Sequence, residues 1–190
     1  MTKGAHMNLK RLLTAAVLIA TTGEAMAQAP DEAVAPIYGV RIPAGYRDWA
    51  LISMARVGAP LNDMRAKLGN EVAIRAYREG KTPFPDGTVT ARLAWNQATS
   101  EENNEAVRPL LERQLGPDTV RRLLAESFVA GPATNVQFMV KDSKRYASTG
   151  GWGFAQFTNG KPDDEAVHKT CFGCHAPARD RDFVFTRYSH

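Results

Sequence analysis

Thr88-Val89-Thr90-Ala91-Arg92-Leu93-Ala94-Trp95 alternates residue by residue. Val89, Ala91, Leu93 and Trp95 fall on one side, and Thr88, Thr90, Arg92 and Ala94 on the other. A period of two with one apolar side marks a half-buried strand. Asp86-Gly87, behind Pro83 and Pro85, is the turn that starts it. Three further segments read as strands: Arg47 to Val57, with weaker alternation at Trp49, Leu51 and Ser53; Val136, Phe138 and Val140; and Trp152 to Phe157 after Gly150-Gly151. Four such segments bounded by turns predict an antiparallel sheet. Helical spacing is expected over Leu61 to Leu68 and over Glu71 to Glu79, the latter capped by Asn70. It returns from Glu101 to Phe128 at Val107, Leu110, Leu111, Leu115, Leu123 and Leu124. Gly116-Pro117 splits that run, and Asp118 is placed to cap its second half. Phe183 to Tyr188 is a last strand-like piece. The fold class is therefore α+β, an antiparallel β-sheet with packed helices.

The chain has 190 residues, 44% hydrophobic and 23% charged, which is globular composition and excludes a disordered tail or a disulfide scaffold. Lys10 and Arg11 open a short apolar run, Leu12 to Ala20, followed by Ala25-Met26-Ala27. This pattern predicts a signal peptide over 1–27, cleaved before Gln28, and hence a periplasmic protein. The run is shorter than the roughly 20 apolar residues that span a bilayer, so no membrane segment is expected after cleavage. Removing Lys3, Lys10, Arg11 and Glu24 changes 24 cations against 20 anions to 21 against 19, so the net charge falls from +4 to +2. No basic face is concentrated, which argues against a nucleic-acid partner. Residues 28–190 suffice for a single domain.

The only two cysteines, Cys171 and Cys174, are followed at once by His175. Cys-x-x-Cys-His is the attachment sequence of c-type haem. Two thiols add across the two haem vinyl groups, and the adjacent histidine supplies an axial nitrogen to the iron. A redox dithiol usually opens a helix near the start of a thioredoxin-like unit. A zinc site wants a second ligand pair, and His168 and His190 make a poor one. A structural disulfide leaves His175 unexplained. One covalent haem c is the expected cofactor, with His175 as metal ligand.

Only 15 residues follow His175, and none is methionine. Met54, Met64 and Met139 all lie upstream and read as core filler. The expectation is a haem with one protein ligand and an open distal side, suited to binding small molecules.

Several pieces of the chain, in this order, resemble the cytochrome P-460 family, which includes the cytochromes c′-beta. They are Tyr46-Arg47-Asp48-Trp49, Asp86-Gly87-Thr88-Val89-Thr90, Val140-Lys141-Asp142-Ser143, Trp152, Cys171 to His175, and Val184-Phe185-Thr186-Arg187. The resemblance implies an antiparallel sheet with helices, one haem c with a proximal histidine, and a homodimer. Some members oxidise hydroxylamine, and others bind nitric oxide or carbon monoxide. Glu101 to Phe128 then reads as a helical insertion.

Two departures bear on activity. In the hydroxylamine-oxidising members a lysine bonds covalently to the haem ring, and its place here holds Arg92. A guanidinium stays protonated and is a poor nucleophile. Lys81 is the nearest alternative, in the preceding loop. Those enzymes also carry a distal glutamate, whose place falls at Gln137; an amide cannot act as a general base. The resemblance places Arg65 and Leu61 on the distal side, Leu61 as an apolar residue facing the iron. Trp152, Phe183, Phe185 and Phe154 are candidates to line the haem.

Three functions follow in order. The first is a haem c protein that binds nitric oxide or a related small gaseous or nitrogenous ligand, with Arg65, Arg92 and Gln137 near it. The second is an oxidoreductase acting on hydroxylamine or nitric oxide. The third is a simple electron carrier serving a redox partner protein, with Met54, Met64, Met139 or His168 as a second iron ligand.

Overall fold

The alternating stretch at 88–95 becomes β3 (Val89–Ala98), the third of six strands in one sheet. The computed structural model describes Met1 and residues 33–189, so the expected leader lies, apart from Met1, outside the described residues. The strands follow sequence order: β1 (Ala50–Val57), β2 (Asp63–Gly69), β3, β4 (Val129–Lys141), β5 (Trp152–Thr158) and β6 (Lys161–Pro162). Every neighbouring pair is antiparallel. Among the described residues four helices accompany them: α1 (Glu71–Arg78), α2 (Glu101–Leu115), α3 (Pro117–Ala125) and α4 (Glu165–His175). The α+β expectation holds. Among the described residues no helix is long and apolar enough to cross a membrane.

Directly paired residues in an antiparallel sheet share a face. Leu68, Ala91, Phe138 and Ala155 form one row across β2 to β5. Leu93, Val136 and Phe157 form the next. Both rows are buried, and Tyr38, Ile42, Tyr46 and Trp49 from the lead-in segment pack on them. The opposite face carries Lys67, Arg92, Gln137 and Gln156 as one row, with Thr90, Met139 and Phe154 beside it. On that side a second apolar cluster joins Phe154 to Ala76, Phe84, Trp152, Phe183 and Val184. One face is thus sealed by core, and the other is half apolar and half polar.

Local chemistry sets the helix ends. The Asn70 side chain accepts from the Ala73 amide at 2.9 Å and the Val89 amide at 3.1 Å, capping α1 and tying it to β3. Asp164 caps α4 by accepting from the Val167 amide at 2.9 Å. α4 itself was not expected from the sequence; Asp164 followed by Glu165 was its start signal, and Gly173 near its end obscured the periodicity.

Other expectations need correction. Leu61 to Leu68 is not helical: Pro60 and Asn62 turn the chain and Asp63 begins β2. Asp63, Arg65 and Lys67 alternate with Met64, Ala66 and Leu68, a period of two in which only one partner set is apolar. Arg47 belongs to a 3-10 turn (Tyr46–Asp48), and the strand starts at Ala50. Asp118 does not cap α3. Gly116 precedes it with Pro117 in the first turn, and Asp118 pairs with Arg121 instead. Phe183 to Tyr188 is not a strand. Asp182 and Phe183 take left-handed backbone angles, φ 51° and 63°, which turn the chain out of any extended run.

That turn is held by a buried ion pair. The Lys141 ammonium donates to Asp182 Oδ1 at 2.7 Å and Oδ2 at 2.9 Å, and to the Gly150 carbonyl at 3.0 Å. Asp182 Oδ2 also accepts from the Phe84 amide at 2.8 Å. The two side chains are 6% and 8% exposed. The Lys141 ammonium sits 5.0 Å from the Trp152 ring centre. Gly150 is needed here: a Cβ would fall 2.1 Å from the Phe183 ring.

Deleting one member of such a pair leaves a buried charge uncompensated, at a typical cost of about 3–5 kcal/mol. We expect Lys141→Met and Asp182→Leu each to lose stability on that scale in urea denaturation, and the double variant Lys141→Met/Asp182→Leu to lose less than the sum. Additive losses would show that the two side chains act separately.

Candidate haem site

The last turn of α4 brings Cys171, Cys174 and His175 to the mixed face of the sheet, next to β4 and β5. Both thiols are free; Cys171 is half-buried and Cys174 exposed. Burial, and then the neighbouring Cys174, push the Cys171 thiol above its ordinary value. Helix spacing of three residues sets the two sulfurs on adjacent turns of one face. α4 is fastened to β5 by His168, which is wholly buried. Its Nε2 accepts from the Gln156 amide at 3.1 Å, and its Nδ1 lies 2.7 Å from the Asp164 carbonyl.

The His175 ring lies between Phe154 and Phe185, with centroids 5.1 and 5.4 Å away. Its Nδ1 donates to the Phe183 carbonyl at 2.8 Å. That bond assigns the Nδ1–H tautomer and leaves Nε2 with its lone pair, the arrangement a metal-ligating histidine requires. Burial, followed by the positive charge of Arg92, holds the imidazole below its ordinary range, against the opposing pull of the Phe183 carbonyl. The ring is therefore held neutral and available as a ligand.

Two adjoining cavities, about 140 and 80 Å³, share Gln137, Phe138, Met139 and His175. The first continues along Phe154, Gln156 and both cysteines. The second continues to Thr90, Arg92 and Lys67. Together they make a groove with two thiols at one end, apolar walls, and cations at the other. A larger depression of about 960 Å³ lies between α1 and residues 48–50, but neither cysteine nor histidine lines it.

Polar groups face the groove in a defined pattern. Arg92 donates through an Nη to Asn135 Oδ1 at 2.7 Å, while its buried Nε has no partner. Burial, then the Arg65 charge, lower Arg92 to about 10 against the opposing effect of Asp63, so it stays protonated at neutral pH. Lys67 is lowered by burial first and then by Arg65 and Arg92. Arg65 is held by Asp63, with bonds of 3.0 and 2.8 Å. Gln137 donates to Gln156, which donates to Asp163. A planar cofactor bonded to the thiols fits this donor set: Nε2 of His175 supplies a ligand, aromatic rings pack around it, and the orphaned Arg92 donor lacks only an acceptor.

The sequence-derived candidates divide. Arg92, Gln137, Cys171, Cys174 and His175 come together around the groove, and Arg65 adjoins it on β2. Phe185 packs on His175, while Phe183 acts through its backbone carbonyl. Trp152 does not line the groove; it is fully buried beneath Lys141 and against Phe84. Leu61 does not line it either: it is 59% exposed in the β1–β2 turn, because the segment is a hairpin and not a helix. Lys81 lines a separate cavity with Tyr77, Arg181 and Arg187. Met54 and Met64 pair into rows with Leu93 and Trp95, on the sheet face away from Arg92, whereas Met139 lines the groove. His168 has both ring nitrogens engaged and no free lone pair for iron.

Lys67 and Gln156 were missed. The helical reading of β2 hides Lys67, and the strand expected over 152–157 does not say which face Gln156 takes. The alternation of charged residues at 63, 65 and 67 was the available signal.

If His168 is a fastener, His168→Leu should destabilise the protein by about 1–3 kcal/mol, since the Gln156 amide loses its acceptor. The absorption spectrum of the haem-loaded protein should keep its spin state. A change from low to high spin would identify His168 as an iron ligand.

Residues 43–186 match the sequence model of the Cytochrome P460 family. No curated protein matches the chain. The matched span covers every residue of the groove, from the strands that carry Lys67, Arg92 and Gln137 to the cysteine pair and His175. The chain belongs to the Cytochrome P460 family, and its cofactor is a haem.

Proposed function

We propose that this protein is a periplasmic mono-haem c cytochrome in which Cys171 and Cys174 carry the haem, His175 ligates the iron, and the opposite side takes small ligands such as nitric oxide. The observation that carries the reading is the His175 Nδ1 bond to the Phe183 carbonyl, beside a groove rimmed by Lys67, Arg92 and Gln137. When bound, the haem supplies an iron coordination position and a one-electron couple. The chain's residues do the rest. Phe154, which is buried, and Phe185 pack on the two sides of the ligating ring and hold its orientation. Gln137 and Arg92 offer hydrogen-bond donors to a ligand, and neither removes a proton at neutral pH. That favours binding over oxidation of hydroxylamine, which requires loss of protons as well as electrons.

One observation supports hydroxylamine or nitric oxide oxidation as the second reading. Lys67 pairs with Arg92 across β2 and β3, lines the groove, and has its amine lowered by burial and its cationic neighbours. A lysine therefore stands beside the position where the resemblance places one, on the next strand, and it replaces Lys81 as the residue to examine. The electron-carrier reading retains only Met139 as a second ligand.

The reduced protein should give an ordinary c-type spectrum in alkaline pyridine, and the native ferrous protein should bind carbon monoxide. A red-shifted pyridine spectrum would mean a third covalent bond to the ring, and its loss in Lys67→Gln would name the residue and raise the second reading. A low-spin ferric spectrum abolished by Met139→Ala would favour electron transfer.

A further inference from the structure

The groove ends in an unbalanced charge cluster. Arg65, Lys67 and Arg92 project from one face of β2 and β3. Each lowers or is lowered by another: Arg65 acts on Lys67 and Arg92, and Arg92 acts on Lys67. The carboxylate among them is Asp63, already engaged in two hydrogen bonds to Arg65. Three cations against one carboxylate leave two positive charges in excess, in a part-buried site where solvent screens them less than at the surface. Two donors are unspent. The Arg92 Nε is buried and unpartnered, and among the described residues the Lys67 ammonium makes no hydrogen bond or ion pair. Within this cluster the buried Asp63 Oδ1 is also left without a donor. Like charges gathered in a part-buried site repel one another, and a bound anion offsets that cost.

We infer that this end of the groove is an anion subsite, so that the site takes small anionic ligands, of the azide, nitrite or fluoride kind, as well as neutral diatomics. The inference rests on the haem reading above and adds a charged ligand class to it. Lys67 supplies an ammonium and Arg92 a fixed Nε–H, and charge-assisted bonds of this type are about twice as strong as neutral ones. Gln137, next in the row, supplies an amide that donates without adding charge. Nothing in this row repels an anion: Gln156 is also an amide, and Asp163 lies beyond it. The haem's own carboxylates are the other source of negative charge for the same cations, and the experiment separates the two.

Azide is titrated into the ferric haem-loaded protein, and carbon monoxide into the ferrous protein. Azide should bind, and Lys67→Gln and Arg92→Gln should each weaken it by roughly tenfold to a hundredfold, the loss of one charged hydrogen bond. Carbon monoxide, which carries no charge, should lose far less affinity than azide in both variants, and Lys81→Gln, outside the groove, should alter neither ligand. Equal loss of azide and carbon monoxide would mean structural damage and overturn the inference. Carbon monoxide binding without azide binding would mean that the haem carboxylates neutralise the cations, and would also overturn it. Failure of carbon monoxide to bind the wild-type protein would remove the open position itself, and with it the reading on which the subsite rests.

Discussion

The buried pair of Lys141 and Asp182 is the constraint on which the site depends. It fixes a turn that the backbone resists, with two successive non-glycine residues at positive φ. The turn in turn presents the Phe183 carbonyl to His175 Nδ1. The pair draws together the end of β4, the glycine turn before β5, the loop at Phe84 and the chain after α4. Asp86 adds a second tie, accepting from the Ser143 amide and hydroxyl at 2.8 and 2.7 Å. A buried ion pair adds little net stability over an apolar substitute. Its value here is directional, because the ammonium satisfies three acceptors that only one backbone arrangement brings together.

On the other side of the groove, position comes from sheet register. Lys67, Arg92, Gln137 and Gln156 are far apart in sequence and adjacent in space, because antiparallel pairing sets them in one row. A shift of one residue in any strand would send its member to the sealed face. The buried rows on that face, Leu68 to Ala155 and Leu93 to Phe157, resist such a shift. The apolar core thus specifies the polar row without touching it.

The α2–α3 pair stands apart from this arrangement. It fills the connection from β3 to β4; its helices pack chiefly on each other, and α3 buries Val120 and Leu124. Val107, Leu110, Leu115 and Leu123 remain exposed, and none lines the haem groove. The leucine spacing marked these helices in the sequence but said nothing about what they would face.

The sequence by itself marked Cys171, Cys174 and His175 as one group, since they fall within five residues and their spacing carries its own meaning. It also determined the antiparallel sheet, because alternation is a local property of each strand. It misread β2, where the apolar partners of Arg65 and Lys67 are small or weak, and it missed α4, where Gly173 broke the pattern. The tertiary structure alone decided which residues share the groove. It placed Lys67 beside Arg92, withdrew Leu61, Lys81 and Trp152 from the groove, and turned Lys141 toward Asp182 across 41 residues of chain. The physical reason is range: periodicity and capping act over a few residues, whereas register, charge pairing and burial are settled between segments that meet only when the chain has folded.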